Sequence, residues 1–257
     1  MKIFVCVKQV PDTETKIKLG PDGASIDTNG IKWVMNPYDE YAVEESVKLR
    51  DANPGSQAFV VTVGPKKRAT EVLRTALAMG VDEGIIVDAP ESIDCFSTAK
   101  ALAAAIRQEG GADIIFTGKL SIDDNASSVG QMLAEFLEIP HTTVVSKFTN
   151  SATDVVVERD VEGGAKEVVT MVKPALVGAN KGLNMPRYAS LPGIMKAKKK
   201  VLKELDLAAL GVSAENKLKI TKMTLPAEKP AVKMLSGDSA KQSAELVTLL
   251  RDEAKVL

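Results

Sequence analysis

Apolar residues follow two alternating patterns over the first 140 residues. Short continuous runs rich in β-branched side chains are typical of strands in a parallel sheet that is covered on both faces. These runs stand at 3–7, 58–63, 85–88 and 113–117. Between them, apolar residues recur at helical spacing, at 69–77, 95–106 and 129–137. Strands that alternate with helices predict right-handed crossovers and an α/β fold with a doubly wound, mostly parallel sheet.

The pattern changes after residue 150. Two β-rich arms around Gly163 and Gly164 predict a hairpin over 154–173. Beyond residue 182 the chain has proline-punctuated segments and one amphipathic ending, in which Val247, Leu250, Ala254 and Leu257 share a helical face. We therefore predict a core over 1–182 and an extended C-terminal arm over 183–257 that wraps the core or a partner.

The stretch MNPYDEYAVEESVKLR, residues 35–50, predicts a helix. Asn36 stands where a capping side chain is favoured, and Pro37 occupies the first helical position, where its missing N–H costs nothing. Glu44 and Lys48 are four residues apart, which predicts an ion pair on the solvated face.

The composition narrows the classes of function. Lys and Arg together number 33 against 34 Asp and Glu, so the chain lacks the bulk positive charge of a nucleic-acid-binding protein. One histidine, His141, and two cysteines, Cys6 and Cys95, are too few for a zinc site or a disulfide framework. We interpret His141 as a strand-edge residue and both cysteines as small buried hydrophobes. No apolar stretch approaches roughly 18 residues, so we expect a cytoplasmic protein without stable membrane insertion.

The strongest candidate for a ligand site is TGKLSIDDNASSVGQ, residues 117–131, which follows the fourth predicted strand. Gly118 lets backbone approach a ligand, and small residues at the next helix start leave N–H groups for phosphate oxygens. We interpret Asp123 and Asp124 as candidates for capping and for contacting a ribose. Helix starts of this kind also occur in proteins that bind no ligand, so that alternative stays open. The glycine motifs of nicotinamide-type and Walker-type sites do not occur.

A second segment, LPGIMKAKKK, spans residues 191–200 and combines apolar residues at a Pro–Gly bend with four lysines in five positions. A nucleic-acid arm, a membrane-surface anchor, a protein docking site and a solvated helix end are the competing interpretations. Four lysines contact only a few phosphates, and no aromatic residue lies among them, so nucleic-acid binding ranks below the other functions considered.

Several blocks of the chain, in order, resemble the electron transfer flavoprotein beta subunit family. The stretch VERDVEGGAKEVVTMVKPALVGA, residues 157–179, is similar to the family signature, with Gly178 where a Thr, Ala, Cys or Ser is usual. The similarity extends through VCVKQV, MNPYDEYAVEE, RTALAMGVDEGI, GKLSIDDNASSVGQM and LNMPRYASLPGIMKAKKK. It therefore covers nearly the whole chain.

The resemblance implies a nucleotide-hydrolase-like α/β core and an arm that embraces an alpha subunit in a heterodimer. It implies an electron carrier rather than an enzyme. Such a carrier takes electrons from acyl-CoA dehydrogenases of fatty acid oxidation, or similar flavoproteins, and delivers them to a membrane quinone oxidoreductase. FAD is then held mostly by the alpha subunit, while the beta chain flanks the flavin ring and binds AMP structurally.

The resemblance also implies which residues contact AMP. By position these are Cys6, Asn36, Pro37, Tyr38, Asp39, Val63, Gly118, Asp123, Asp124, Asn125, Ala126, Ser127, Ser128 and Val129. Flavin-bifurcating relatives place a second FAD in the same site and resemble IDGDTAQVG at the loop. Since IDDNASSVG is closer to the AMP-binding form, we favour AMP. A bifurcating subunit and a stand-alone nucleotide-binding module remain alternatives.

For the LPGIMKAKKK segment, the resemblance implies a recognition loop that docks on the donor dehydrogenase. Leu191 holds the position of the apolar anchor, and Ile194 and Met195 widen the contact. The neighbouring lysines would steer the encounter with acidic surfaces. They are Lys196, Lys198, Lys199 and Lys200.

Overall fold

The structure, a computed structural model, describes residues 1–213, 215–229 and 231–257. The strands, in chain order, are β1 (Lys2–Cys6), β2 (Gln9–Pro11), β3 (Trp33–Met35), β4 (Gln57–Gly64), β5 (Glu83–Asp88), β6 (Ile114–Gly118), β7 (His141–Asn150), β8 (Asp154–Asp160), β9 (Lys166–Val172), β10 (Ala175–Ala179) and β11 (Leu202–Asp206). The helices are α1 (Pro37–Ala52), α2 (Lys66–Met79), α3 (Cys95–Gln108), α4 (Val129–Leu137), α5 (Leu191–Lys199) and α6 (Ser239–Thr248), the last continued by a π-helical turn at Leu249–Glu253.

A nine-stranded sheet in the order β11-β5-β4-β1-β6-β10-β7-β8-β9 forms the centre of the fold. Its strands run parallel from β11 to β7, and β7, β8 and β9 are antiparallel. Strands β2 and β3 form a separate two-stranded sheet. The α/β fold class and the hairpin over 154–173 are confirmed.

Two apolar clusters cover the two faces of the sheet. Side chains of α1 and α2 pack on one face, and those of α3 and α4 pack on the other. Strand β1 shows why its sequence is apolar throughout, because Ile3 and Val5 point into the first cluster while Phe4 and Cys6 point into the second. Cys6 is buried and Cys95 is half-buried, and both thiols are free.

The sheet gains two strands that the sequence pattern did not predict. Strand β7 begins at the exposed His141, and β11 pairs in parallel with β5 from Leu202 to Asp206. The main sheet therefore continues past residue 182, because a strand of the predicted arm returns to the core. The division into 1–182 and 183–257 stays a prediction as a statement about domains.

Gly178 lies where β10 meets an irregular part of β7. Val144 has a positive φ of 65°, so β7 bulges toward its neighbour. A Cβ atom on Gly178 would lie 2.7 Å from the Thr143 hydroxyl oxygen and 3.0 Å from the Thr143 Cα atom. The glycine that departs from the family signature is thus the residue that fits beside this bulge.

The C-terminal segment packs least. Helix α6 has no buried residue. Within residues 1–213, 215–229 and 231–257, none of the helices combines the length and apolar character needed to cross a membrane.

Candidate functional site

A cavity of about 420 Å³ opens at the carboxyl ends of β1, β4 and β6. The chain runs outward from β1 to β4 and β5 and then returns to place β6 on the other side of β1, so the strand order reverses beside β1. Ligands of open α/β sheets bind at such a reversal. Most of the predicted contact residues line this cavity: Cys6, Asn36, Asp39, Val63, Gly118, Asp123, Asp124, Ala126, Ser127, Ser128 and Val129. Pro37, Tyr38 and Asn125 lie outside its lining.

The loop before α4 is shaped for an anion. Asn125 and Ser127 both adopt a left-handed backbone, with φ of 52° and 48°. Non-glycine residues rarely adopt this conformation, and they concentrate at functional sites. Ser128 is the N-cap of α4 but its side chain caps no N–H group. Since the first-turn N–H groups of a helix have no acceptor within the helix, those of α4 suit phosphate oxygens.

Lys8 neutralises the two acidic residues of the loop. Its ammonium nitrogen lies 2.8 Å from an Asp123 oxygen and 3.1 Å from an Asp124 oxygen. Burial alone would lower the pKa of Lys8, but the two carboxylates hold it above its usual value. Asp124 also accepts a hydrogen bond from the Ala126 N–H at 3.0 Å, which closes a turn within the loop. Neither aspartate caps α4, because that helix begins at Val129 with Ser128 as its N-cap. No pattern in the sequence indicated Lys8, because it lies more than a hundred residues from its partners.

Asp39 joins three segments at the floor of the pocket. Its buried carboxylate accepts hydrogen bonds from the Lys8 N–H at 2.7 Å, the Gly118 N–H at 3.1 Å and the Asn36 amide at 2.9 Å. Burial raises the pKa of Asp39 to about 7, although these donors pull it down. Asp39 thereby ties the ends of β1 and β6 to the start of α1.

Asn36 corrects the predicted helix cap. It occupies the N-cap position of α1, but its side chain makes no capping hydrogen bond. Its amide nitrogen donates to the Leu120 carbonyl at 2.8 Å, and its amide oxygen accepts from the Ile122 N–H at 3.2 Å. The buried amide holds the loop between β6 and α4, which is why it is not available to cap the helix.

Gly118 permits this close assembly. A Cβ atom there would lie 2.3 Å from the Asp39 carboxylate and 2.8 Å from the Tyr38 Cβ atom. Both distances are shorter than side-chain carbons tolerate, so the position is restricted to glycine. Tyr38 itself does not line the pocket, and the Lys119 ammonium lies 4.8 Å from its ring centroid.

One lobe of the pocket contains residues that the sequence analysis missed. The Arg68 guanidinium stacks 3.9 Å from the centroid of the Trp33 ring and pairs with Glu91. All three residues line the cavity. Trp33 is the single tryptophan of the chain, and its position two residues before the MNPYDEYAVEE block was the available signal.

The LPGIMKAKKK segment forms helix α5, not the predicted bend or loop. Ser190 caps the helix by accepting a hydrogen bond from the Gly193 N–H at 3.1 Å, so Pro192 falls within the first turn, where proline is tolerated. Ala197 is buried, and a Cβ atom on Gly193 would lie 2.5 Å from the Ala78 carbonyl oxygen at the end of α2. The outer face of α5 exposes 74% of Leu191, 38% of Ile194 and 55% of Met195.

The lysines of α5 fall into two groups. Lys196, Lys198 and Lys199 are exposed. Lys200 instead donates to the carbonyls of Val81 at 2.8 Å and Asp82 at 2.7 Å. Burial lowers the pKa of Lys200. Lys200 therefore fastens the end of α5 to the core, and the outward charge comes from the other three lysines.

The segment before α5 is fixed by an ion pair with α1. Arg187 donates to the buried Glu44 carboxylate from Nε at 2.7 Å and from a terminal nitrogen at 3.1 Å. The predicted Glu44–Lys48 pair is therefore wrong, because Glu44 faces the core side. Lys48 pairs with Glu45 at 3.3 Å instead.

Comparison with known proteins gives full-length matches. A family model described as the electron transfer flavoprotein domain matches residues 24–210. The electron transfer flavoprotein subunit beta of Bacillus subtilis (strain 168) is 43% identical over 263 residues, which cover 100% of both chains. The subunit beta of Bradyrhizobium diazoefficiens is 40% identical over 257 residues, again 100% of both. The human subunit beta is 36% identical over 260 residues, or 100% of this chain and 99% of the relative.

Proposed function

The chain belongs to the family of electron transfer flavoprotein beta subunits, and from that premise we propose that it pairs with an alpha subunit and binds AMP within a heterodimeric electron carrier. The observation that carries the nucleotide part is the meeting of the predicted contact residues at the reversal of the strand order. The pair takes electrons from acyl-CoA dehydrogenases or similar flavoproteins and delivers them to a membrane quinone oxidoreductase.

AMP is the occupant that the chemistry of the pocket supports. The N–H groups at the start of α4 would hold the phosphate, with Ser127 and Ser128 beside it. Lys8 offsets the charge of Asp123 and Asp124, which leaves their oxygens able to accept hydrogen bonds from a ribose. The apolar walls at Cys6 and Val63 suit a base. AMP then stabilises the fold without turning over.

FAD, when bound in the heterodimer, supplies the electron chemistry. The residue of this chain best placed to flank a flavin held by another subunit is Tyr38, which lies outside the nucleotide pocket. Lys119 places a positive charge over the Tyr38 ring. A positive charge near a flavin stabilises electrons taken up by the ring, so this pair would support its reduction.

The alpha subunit would cover the apolar surface of the C-terminal arm. Exposed apolar side chains that are numerous and contiguous in a segment mark a protein interface. In the described part of the arm they are Leu218, Ile220, Leu225, Val232, Met234, Leu246, Val247, Val256 and Leu257.

The electron donor would dock on α5. Leu191 is the anchor, Ile194 and Met195 widen the contact, and Lys196, Lys198 and Lys199 attract acidic surfaces. The adjoining Tyr188 is 98% exposed and extends the same apolar patch.

A cytoplasmic location stays a prediction, with which the free thiols of Cys6 and Cys95 are compatible.

Coexpression with an alpha subunit tests the proposal. We expect a yellow heterodimer from which denaturation releases one FAD and one AMP. Two flavins per heterodimer and no AMP would instead assign the chain to the bifurcating type. A colourless monomer or homodimer that binds a nucleotide would support the stand-alone module.

A further inference from the structure

A short stretch of the C-terminal segment returns to the nucleotide pocket. Residues 215–223, here called the strap, run from the start of α3 to the loop that contains Gly23. Ile220 and Met223 of the strap line the same cavity as Cys6, Val63 and the α4 start. The strap therefore forms a wall of the pocket, although it lies about ninety residues after the nearest predicted contact residue.

The first end of the strap is fastened to α3 by reciprocal hydrogen bonds. The Asn216 amide donates to the Ser92 carbonyl at 2.5 Å and accepts from the Asp94 N–H at 2.9 Å. The Asp94 carboxylate accepts from the Lys217 N–H at 2.5 Å and the Leu218 N–H at 3.1 Å. Asp94 is also the side-chain cap of α3, through the Ser97 N–H at 2.8 Å. One carboxylate thus holds both the strap and a helix whose first turns line the pocket.

The second end is fastened more weakly. The Met223 N–H donates to the Gly23 carbonyl at 2.8 Å. Between the two ends, Ile220 is 58% exposed, so one side of it faces solvent while another lines the cavity. A wall held by a few surface hydrogen bonds opens at a far lower free energy than the strands beneath it. The strap therefore opens more easily than the strands beneath it.

We propose that the strap is a removable wall of the nucleotide pocket, which closes over the bound nucleotide and must detach before the nucleotide leaves. The inference rests on the proposed nucleotide binding. Ile220 and Met223 are apolar, so they suit the base or sugar face of a nucleoside monophosphate and not its phosphate. Because the strap continues directly into the arm, a partner that holds the arm would also slow nucleotide release.

Release of AMP from the heterodimer tests the wall. Asn216→Ala removes the two side-chain hydrogen bonds that Asn216 makes with Ser92 and Asp94, and Ile220→Ala shortens the wall. We expect each to raise the rate constant of AMP release roughly five- to tenfold, as the loss of a few hydrogen bonds or of buried methylenes implies. Lys219→Ala is the matched control, because Lys219 lies in the strap, is exposed and does not line the cavity. Its release rate should stay within about twofold of the unsubstituted protein.

Proteolysis of the unsubstituted heterodimer gives a second measurement that involves no variant. Added AMP should slow trypsin cleavage after Lys217, Lys219 and Lys222, because a closed strap resists the enzyme, and should leave cleavage after Lys241 unchanged. The proposal that the strap is a removable wall would be overturned if AMP binds without slowing these cleavages, or if the variants release AMP at an unchanged rate. Either result would leave the proposed function intact. An unsubstituted heterodimer that binds no AMP would overturn the nucleotide part of the proposed function, and the strap with it.

Discussion

The candidate nucleotide pocket and helix α5 each contain a glycine at a close contact, but the two glycines support different kinds of structure. A Cβ atom would lie 2.3 Å from the Asp39 carboxylate at Gly118 and 2.5 Å from the Ala78 carbonyl at Gly193. Behind Gly118, buried polar groups satisfy one another. Behind Gly193, packing fixes a helix whose apolar residues face solvent. The proposed function of the pocket depends on buried groups that are hydrogen-bonded to one another. The proposed function of α5 depends on exposed side chains of a helix that packing holds in place.

Alanine at these two glycines should produce the largest effects and separate the two regions. We expect Gly118→Ala to lower the free energy of unfolding by about 4 kcal/mol and to abolish retention of AMP, because the methyl group displaces Asp39 from three hydrogen bonds. Gly193→Ala should cost about 2 kcal/mol and slow electron transfer from the donor, since it pushes α5 off α2. Urea unfolding and the AMP content of purified heterodimer measure both. The separation of the two regions would be contradicted if the Gly193→Ala heterodimer lost its AMP or if the Gly118→Ala heterodimer retained it.

Asp39 gives the pocket a pH dependence between pH 5 and pH 8. Burial raises its folded-state pKa to about 7, above the ordinary value of 3.8. Between these values the folded chain keeps a proton that the unfolded chain releases, so this group's contribution to stability falls as pH rises and is constant above about pH 7. From pH 5 to pH 8 the loss is about 2 to 3 kcal/mol.

Asp39→Asn should remove this dependence. The free energy of unfolding of the variant minus that of the unsubstituted chain should therefore increase from pH 5 to pH 8 by about 2 to 3 kcal/mol, because only the unsubstituted chain loses stability over this range. Urea titrations at pH 5 and pH 8 measure the free energy of unfolding of both proteins. The neighbouring titratable groups Lys8 and Cys6 are present in both. Parallel pH profiles would show that Asp39 is ionised in the folded chain across this range.

Among the exposed side chains of α5, the largest effect should come from Leu191. Leu191→Ala removes an apolar side chain that is 74% exposed, so folding, AMP and FAD content should not change. Electron transfer from an acyl-CoA dehydrogenase should slow roughly tenfold, as for a central interface residue. Val201→Ala is the matched control, because Val201 is 92% exposed but lies outside the helix. Equal rates for both variants and the unsubstituted protein would remove Leu191 from the docking surface.

The sequence predicted the parts of the molecule that depend on local order. Continuous apolar runs identified β1, β4, β5 and β6, because strands covered on both faces leave no polar positions. The loop at 118–129 was found because it follows such a strand and opens a helix. Each of these features can be predicted from residues that are consecutive in the sequence.

The remaining parts depend on contacts between distant residues. Three such contacts form only when the chain is folded. They are the ion pair of Lys8 with Asp123, the stacking of Arg68 on Trp33 and the hydrogen bond between Asn216 and Asp94. Strand β11 has the sequence LKELD, in which three of five residues are charged, and it lies at the edge of the sheet, where charged side chains are tolerated. In the same way, LPGIMKAKKK read as a bend, since the packing of Gly193 on Ala78 that stabilises a helix there is absent from the sequence pattern.

The smallest effects should come from the lysines of α5. They would show whether each lysine attracts the donor by its charge or holds the helix on the core. Lys196→Gln with Lys199→Gln removes two exposed charges from α5, so association with the donor should slow about two- to fivefold at low ionic strength. The difference should vanish in high salt. Lys200→Gln instead removes the donor to the Val81 and Asp82 carbonyls, and should loosen α5 equally at low and high salt. Stopped-flow reduction of the heterodimer over a salt series distinguishes them. A salt-dependent effect of Lys200→Gln, or a salt-independent effect of the double variant, would reverse the assignment of steering and support along this helix.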